Sequence, residues 1–215
     1  MSKRIFITAT NTDIGKTYTT KLILKELASR GIRVGVIKPV ETGVVNSEYP
    51  DGDMLLSLVK ELNLEFQNVT VEDIVPISYS LPAAPFIASN GEDFDFEKVN
   101  ASVKKLEKLC DVLIFEGAGG LYMPVDKNNM LIDFIKLYEA NALLVTHCSL
   151  GCINDTLLSV DALKKAKIKY SVAFNCREKD ESFAQVSEPY FSTSEIEVLK
   201  VNRDIDKICD VLYNL

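Results

Sequence analysis

Short apolar runs rich in β-branched residues alternate with stretches of helical periodicity along most of this chain. Residues 4–9, 34–37, 112–115, 142–146 and 170–174 are the apolar runs, short enough to be buried strands. The segments between them repeat with helical period. Residues 16–30 place Ile23, Leu24, Leu27 and Ala28 on one face, and Gly31 ends that helix. Val99, Val103, Leu106 and Cys110 recur at offsets 0, 4, 7 and 11, and Leu131, Phe134, Ile135 and Tyr138 at 0, 3, 4 and 7. Residues 54–62, 154–165 and 203–212 predict further helices, the last with Ile205, Ile208, Cys209 and Leu212 inward. Residues 10–15 read as a loop. Residues 38–53, punctuated by Pro39, Gly43, Pro50 and Gly52, read as a loop with some irregular structure. A Pro-rich stretch, residues 76–85, separates the early helices from the later ones.

Apolar strands alternating with amphipathic helices predict an α/β fold with a mostly parallel sheet covered on both faces. Ligands in such sheets bind beyond the carboxyl ends of the strands. The loops after Ala9, Ile37, Phe115, Thr146 and Phe174 are therefore expected to line one mouth. With 215 residues, no repeat and no low-complexity segment, a single domain over residues 1–215 is expected.

Charge and cysteines narrow the class. Twenty-four basic against thirty-one acidic side chains leave −7, with no basic cluster longer than Lys164-Lys165, which argues against nucleic acid as a partner. An anionic ligand must then be drawn in by local lysines or backbone N–H groups, since the overall field repels it. Ile5-Phe6-Ile7 is too short for a secretory core, and no later run approaches a membrane span, so a cytoplasmic protein is expected. Cys110, Cys148, Cys152, Cys176 and Cys209 are odd in number and form no CxxC pair, and are read as free or buried thiols. The sole histidine, His147, has no second histidine with which to share a metal and is read as structural.

Four loops at the predicted mouth carry unusual residues. Thr8-Ala9-Thr10-Asn11-Thr12-Asp13-Ile14-Gly15-Lys16-Thr17 joins the first strand to the first helix, where free N–H groups and the helix dipole favour an anion. Lys16 would reach β and γ phosphates and the Thr17 hydroxyl would ligate Mg²⁺. The strict phosphate-loop pattern fails at its first glycine, where Thr10 stands, and a helix that merely begins Gly-Lys-Thr is the alternative. Lys38-Pro39-Val40-Glu41-Thr42-Gly43 follows the second strand, and its lysine either is solvated or faces the phosphates. Thr17, Asp53 and Glu116 form an oxygen set suited to Mg²⁺, with a helix cap or surface carboxylate as the alternative for Glu116. In Glu116-Gly117-Ala118-Gly119-Gly120 the glycines allow backbone to approach a ligand. Ser149-Leu150-Gly151-Cys152-Ile153-Asn154 opens a helix without a positive side chain, so its N–H groups either hold a carboxylate or are capped by Asn154.

These motifs, in this order and together with Asn175, resemble the dethiobiotin synthetases over roughly residues 1–176. The resemblance implies a P-loop NTPase-type fold, a homodimer, and ATP with Mg²⁺ as cofactors. It implies that the amine of diaminopelargonate takes up CO₂ as a carbamate, that ATP phosphorylates the carbamate, and that the neighbouring amine closes the ureido ring. By resemblance, Lys38, Lys16 and Thr12 are catalytic, and Mg²⁺ is held by Thr17, Asp53 and Glu116. The nucleotide meets Asp13, Ile14, Gly15, Lys16, Thr17, Tyr18, Asp53, Glu116, Gly117, Ala118, Gly119, Asn175 and Cys176. The substrate meets Thr12, Lys38 and Thr42, and its distant carboxylate meets Gly151, Cys152, Ile153 and Asn154 of the partner subunit.

The chain departs from the family at Ala9, where glycine is usual, and in lacking a recognisable Gly-x-Ile-Pro segment that helps frame adenine. Ser194-Glu195-Ile196-Glu197-Val198 is the nearest stretch, and Tyr190 or Phe191 is the candidate to stack on a purine. Three other readings share the fold. A partitioning-type switch ATPase carries an additional lysine early in the loop, where this chain has Asn11. A different ATP-dependent amide or cyclo-ligase is the second, and a catalytically dead binding module, which would lack the polar residues present here, the third.

Overall fold

In the computed structural model, which describes residues 2–177, 180 and 182–215, the first apolar run is strand β1 (Lys3–Ala9). It leads into α1 (Lys16–Ser29) and β2 (Val34–Ile37). Then come β3 (Val40–Thr42), α2 (Gly52–Leu62), a 3₁₀ turn (Leu64–Phe66), α3 (Val71–Ile74), β4 (Ile77–Tyr79), α4 (Pro85–Ala88) and α5 (Phe96–Leu106). The second half runs β5 (Val112–Gly120), α6 (Leu131–Leu137), β6 (Asn141–His147), α7 (Cys152–Lys165) and β7 (Tyr170–Asn175). It continues through α8 (Phe183–Val186), α9 (Glu188–Phe191), β8 (Leu199–Lys200) and α10 (Ile205–Asn214).

The main sheet has the order β2-β5-β1-β6-β7-β8, and every pair in it is parallel. Parallel strands need crossover helices, and helices on both faces bury both sides of each strand. That is why Ile5, Phe6, Ile7, Leu113, Ile114, Phe115, Leu143 and Leu144 are all fully buried with no polar alternation. On one side α1 packs with α2 and α10. On the other, α5 and α6 meet through Phe96 and Phe134, and the Tyr138 hydroxyl donates to Asn100 Oδ1 at 2.9 Å. The connection after β1 runs toward β2, whereas that after β6 runs the opposite way toward β7. A crevice opens between strands whose connections diverge in this manner.

Four local expectations need correction. Residues 38–53 are not loop throughout, and the Pro-rich stretch 76–85 is more than a separator: β3 and β4 pair there as a parallel two-stranded sheet, Val40 to Ile77 and Thr42 to Tyr79. Three-residue strands whose partners lie far apart in sequence leave no periodicity to read. Strand β5 does not stop at Phe115 but runs on to Gly120, so Glu116 lies in a strand. Helix α7 begins at Cys152 with Gly151, φ +100°, at its cap, and the Asn154 amide donates to Asp155 instead of capping. Finally, Cys148 and Cys176 form a disulfide, while Cys110, Cys152 and Cys209 are free and buried. Burial pushes the Cys110 and Cys209 thiols up to about 12, which leaves them unreactive.

Gly35 of β2 is fixed by packing. A Cβ there would lie 2.7 Å from Cys110 Sγ and 2.8 Å from Phe66 Cζ. Gly35→Ala is expected to cost about 1–3 kcal/mol by overpacking. A thermal melt should fall by about 2–4 °C for each of those kcal/mol, and an unchanged melting temperature would refute the tight fit.

Candidate active site

Strand register brings the site together. Ile37 of β2 pairs with Phe115 of β5, so the next residues, Lys38 and Glu116, emerge side by side. Glu116 also pairs with Ile7 of β1, two residues before that strand ends at Ala9 and gives way to the loop leading to α1. Lys38, Glu116 and Thr17 thus project from three adjacent positions, β2, β5 and the start of α1, at one edge of the sheet.

The contacts there are short. Lys38 Nζ donates to Glu116 Oε1 at 2.9 Å and to Asp51 Oδ2 at 2.6 Å. Thr17 Oγ1 lies 2.8 Å from Glu116 Oε1 and 3.1 Å from Asp51 Oδ1. Glu116 is fully buried and Lys38 is 4% exposed. Burial lowers the Lys38 pKa, but the charges of Glu116 and Asp51 outweigh it and leave the ammonium held above its usual range. Burial likewise works to raise Asp51, and Lys38 with Thr17 overcomes it, so that carboxyl lies below its usual range. Both shifts favour the charged forms, and the cluster is an ion triad.

Asp53, expected beside Thr17 and Glu116, is not brought into this cluster. Its carboxylate accepts the Tyr49 N–H at 2.8 Å on the exposed side of α2. Asp51 stands in the cluster instead. Helix α2 starts at Gly52, and two residues advance roughly 200° around a helix, so Asp51 and Asp53 diverge. Glu41, buried at the centre of β3, aims the turn: its two oxygens accept the N–H groups of Asp51 (2.7 Å) and Gly52 (3.0 Å). Burial pushes the Glu41 carboxyl up, against the N–H donors and Lys38 that pull it down. Asp51 and Glu41 are the residues that sequence reasoning missed. The Glu41-Thr42-Gly43 run and the Pro50-Asp51-Gly52-Asp53 doublet were the available signals.

The loop after β1 wraps the start of α1. Gly15 caps the helix at φ +104°, a conformation that L side chains rarely adopt, and a Cβ there would lie 2.1 Å from Asn175 Nδ2. Asn175 donates to Ile14 O at 2.7 Å, and Arg177 donates to Asp13 O, so the end of β7 braces the loop. Lys16 Nζ donates to Asn11 O at 3.2 Å. Burial, followed by the like charge of Lys38, lowers the Lys16 pKa to about 8 against the pull of Glu116, Asp51 and Asp13.

A cleft of about 720 Å³ lies over these groups. Thr12, Asp13, Gly15, Lys16, Thr17, Tyr18, Lys38, Thr42, Ala118 and Gly119, all singled out in the sequence, line it, and so do Asp51, Glu41 and Arg177. Its far wall is residues 82–85 with Met123, a Pro- and Ala-rich apolar surface that sequence reading took for a separator. Gly117 does not line it: the space of its absent Cβ is filled by Leu131 and Phe6, so this glycine serves packing. Cys176 is held in the disulfide with Cys148. Phe191, a candidate to stack on a purine, is 1% exposed and packs on Phe174 and Phe183, while Tyr190 is 43% exposed.

Gly151, Cys152, Ile153 and Asn154 lie away from the cleft, in the turn into α7, with open space over Gly151. His147 fastens that turn. Its Nδ1 is 2.6 Å from Ser149 Oγ and its Nε2 is 3.0 Å from Asp155 Oδ2.

Comparison with known proteins reaches nearly the whole chain. Residues 3–207 match a family model described as an AAA domain. The chain is 44% identical over 187 residues to the "ATP-dependent dethiobiotin synthetase BioD" of Sulfurovum sp. (strain NBC37-1), covering 87% of this chain and 89% of that one. It is 33% identical over 215 residues to the protein of the same name from Wolinella succinogenes, covering 99% of each. Among solved structures, a plasmid partition protein from Borrelia burgdorferi superimposes with a TM-score of 0.58 at 14% identity, over 99% of this chain and 96% of that one. The MinC:MinD cell division protein complex of Aquifex aeolicus gives 0.54 at 22%, over 92% and 79%. At those identities the likeness to the solved structures is one of fold alone.

The ion triad generates a stability prediction. Lys38→Met leaves Glu116 buried without its cation, and breaking a buried pair in this way costs about 3–5 kcal/mol. Urea unfolding without divalent cations should show that loss, and a loss under about 1 kcal/mol would mean that Glu116 is hydrated or neutral.

Proposed function

The chain belongs to the ATP-dependent dethiobiotin synthetases, and from that premise we propose that the cleft over the phosphate loop is where a carbamate meets the γ-phosphate of ATP. The family reaction carboxylates 7,8-diaminopelargonate with CO₂, phosphorylates the carbamate and closes the ureido ring, giving dethiobiotin, ADP and phosphate. The observation that carries the placement is the convergence of Lys16, Thr17, Lys38, Asp51 and Glu116 on one helix start.

Each residue has a role that its surroundings support. The N–H groups around Gly15 and the dipole of α1 cradle the phosphates. Lys16 and Lys38 offset charge that builds up as one anion attacks another. Thr12 and Thr42, which both line the cleft, hydrogen-bond the carbamate and set its angle of attack. The apolar wall at residues 82–85 and Met123 keeps water from the mixed anhydride. The ring-closing amine displaces phosphate, and its proton passes to solvent.

Thr17, Asp51 and Glu116 fit Mg²⁺. Glu116 Oε2 is buried with no hydrogen-bond partner, and the three side chains offer only hard oxygen atoms. When bound, Mg²⁺ would neutralise phosphate charge. Asn175 and the neighbouring Cys176 backbone would meet the nucleotide base, for which Asn175 must release Ile14 O. The open start of α7, with Gly151, Cys152, Ile153 and Asn154, is suited to the substrate carboxylate of a partner subunit in a homodimer. No helix among the described residues is long and apolar enough to cross a membrane.

The deciding experiment is phosphate release from ATP with diaminopelargonate and bicarbonate, each omitted in turn. Release that needs both, with dethiobiotin as product, supports the reading, and release independent of the diamine refutes it.

The Lys16 pKa adds a pH prediction. A lysine lowered to about 8 loses its charge as pH rises through that value. Because kcat/KM follows the free enzyme, kcat/KM for ATP should fall above about pH 8. The falloff in kcat should lie higher, since bound phosphate restores the proton. A kcat/KM profile flat to pH 9.5 would remove Lys16 from phosphate binding.

A further inference from the structure

We propose that Lys38 is the resident counter-ion of the metal site, and that a divalent cation enters only by exchange with it. The inference rests on the oxygen set assigned above and goes beyond it, to the order in which the site fills.

Glu116 Oε1 receives both the Lys38 ammonium, at 2.9 Å, and the Thr17 hydroxyl, at 2.8 Å. Asp51 likewise faces Lys38 through Oδ2 and Thr17 through Oδ1. Each carboxylate that would hold the metal thus already neutralises an ammonium, Asp51 through Oδ2 and Glu116 through Oε1, and only the buried Glu116 Oε2 is left without a partner. Two cations at such range in a water-poor site repel strongly, so both cannot keep the same carboxylates. Among the described residues, no group of three or more His, Cys, Asp or Glu side chains forms a self-sufficient metal site. Two carboxylates and a hydroxyl, with a resident ammonium to displace, make a poor receptor for a bare ion.

A polyphosphate changes the balance. It brings oxygen ligands for the metal and a second acceptor for the displaced ammonium, which lies on the wall of the same cleft. Asp51 and Glu116 would then hold the divalent cation, and Lys38 would turn to the phosphate. Lys16 cannot play this part, since it donates to the Asn11 carbonyl and touches neither carboxylate. Buried Lys38 therefore serves two states. It compensates Glu116 while the cleft is empty, and its release depends on metal and nucleotide arriving together.

Mn²⁺ titration of the nucleotide-free protein, followed by electron paramagnetic resonance, tests the exchange. Lys38→Met should bind Mn²⁺ at least about tenfold more tightly than the unaltered protein, a modest fraction of the removed repulsion. Lys38→Gln keeps a hydrogen-bond donor without charge, should behave alike, and covers the case in which Lys38→Met folds poorly. Lys38→Arg keeps the charge and should bind as weakly as the unaltered protein. Lys16→Met removes an equal charge from the same cleft and should gain less than about threefold. Mn²⁺ should also raise the melting temperature of Lys38→Gln more than that of the unaltered protein. Unchanged or weaker Mn²⁺ affinity in both neutral variants would overturn the exchange. Glu116→Gln, measured alongside, separates the two layers. Loss of Mn²⁺ binding there keeps the oxygen set and isolates Lys38 as the failed element, whereas persistence of binding fails the set itself.

Discussion

Glu116 sits in the interior strand β5 with no exposed surface, and a carboxylate in that position must be compensated or neutral. Removing an ion from water costs several kcal/mol even after relaxation. The structure meets that cost with Lys38, and the arrangement of the cleft follows from it. Lys38 is almost as buried as Glu116 and needs a second acceptor, which is Asp51. Asp51 in turn is oriented through its own N–H by Glu41, and Glu41 is buried on the short β3 strand. Each polar group is held by the next, from the central sheet outward to the small β3–β4 ladder. A change at Glu41, which touches no part of the phosphate loop among its hydrogen bonds, would thus be felt at Lys38 through Asp51.

Sheet order makes this chain of dependence possible. With β5 inserted between β2 and β1, the residue after β2 and the residue after Phe115 share a register position, and the loop after β1 lies next to both. An antiparallel neighbour would send one of these strand ends to the opposite edge of the sheet. The parallel order also explains why the long residue 38–111 connection can carry α2 and the β3–β4 ladder without disturbing the core. That connection leaves and returns at adjacent strands, so its excursion is free to build the cleft wall.

Much of this was legible in the residues, for a physical reason in each case. The five apolar runs and the helices at 16–30 and 131–138 announce themselves because burial on both faces demands unbroken apolar strands and amphipathic helices. Lys38 and Glu116 drew attention because each follows directly on a buried apolar run, and Thr17 because it follows Gly15-Lys16 at the start of a helix. Asp51 was not legible, since choosing between Asp51 and Asp53 requires the helix start to within one residue, the least certain quantity in a sequence. The β3–β4 ladder was hidden by its brevity. The Cys148–Cys176 disulfide was hidden because its partners become neighbours only once His147 of β6 is known to pair with Asn175 of β7. Gly117 misled in the opposite direction: a glycine in a Gly-rich run suggests ligand approach, yet its missing Cβ makes room for Phe6 and Leu131.

The charge of the cleft explains how a protein of net charge −7 accommodates an anionic ligand. Lys16 and Lys38 face Asp51 and Glu116, so the empty site is close to neutral and imposes little long-range attraction. Attraction is instead local and directional, from the N–H groups at the start of α1. The like charge of Lys38 helps to bring Lys16 down to about 8, which means that the unfilled cleft holds its second cation only loosely. An arriving anion relieves that repulsion, raises the Lys16 pKa again and gives Lys38 an alternative to its carboxylates. The ligand thus secures the charge on Lys16, and the repulsion between the two lysines is relieved when phosphate lies between them.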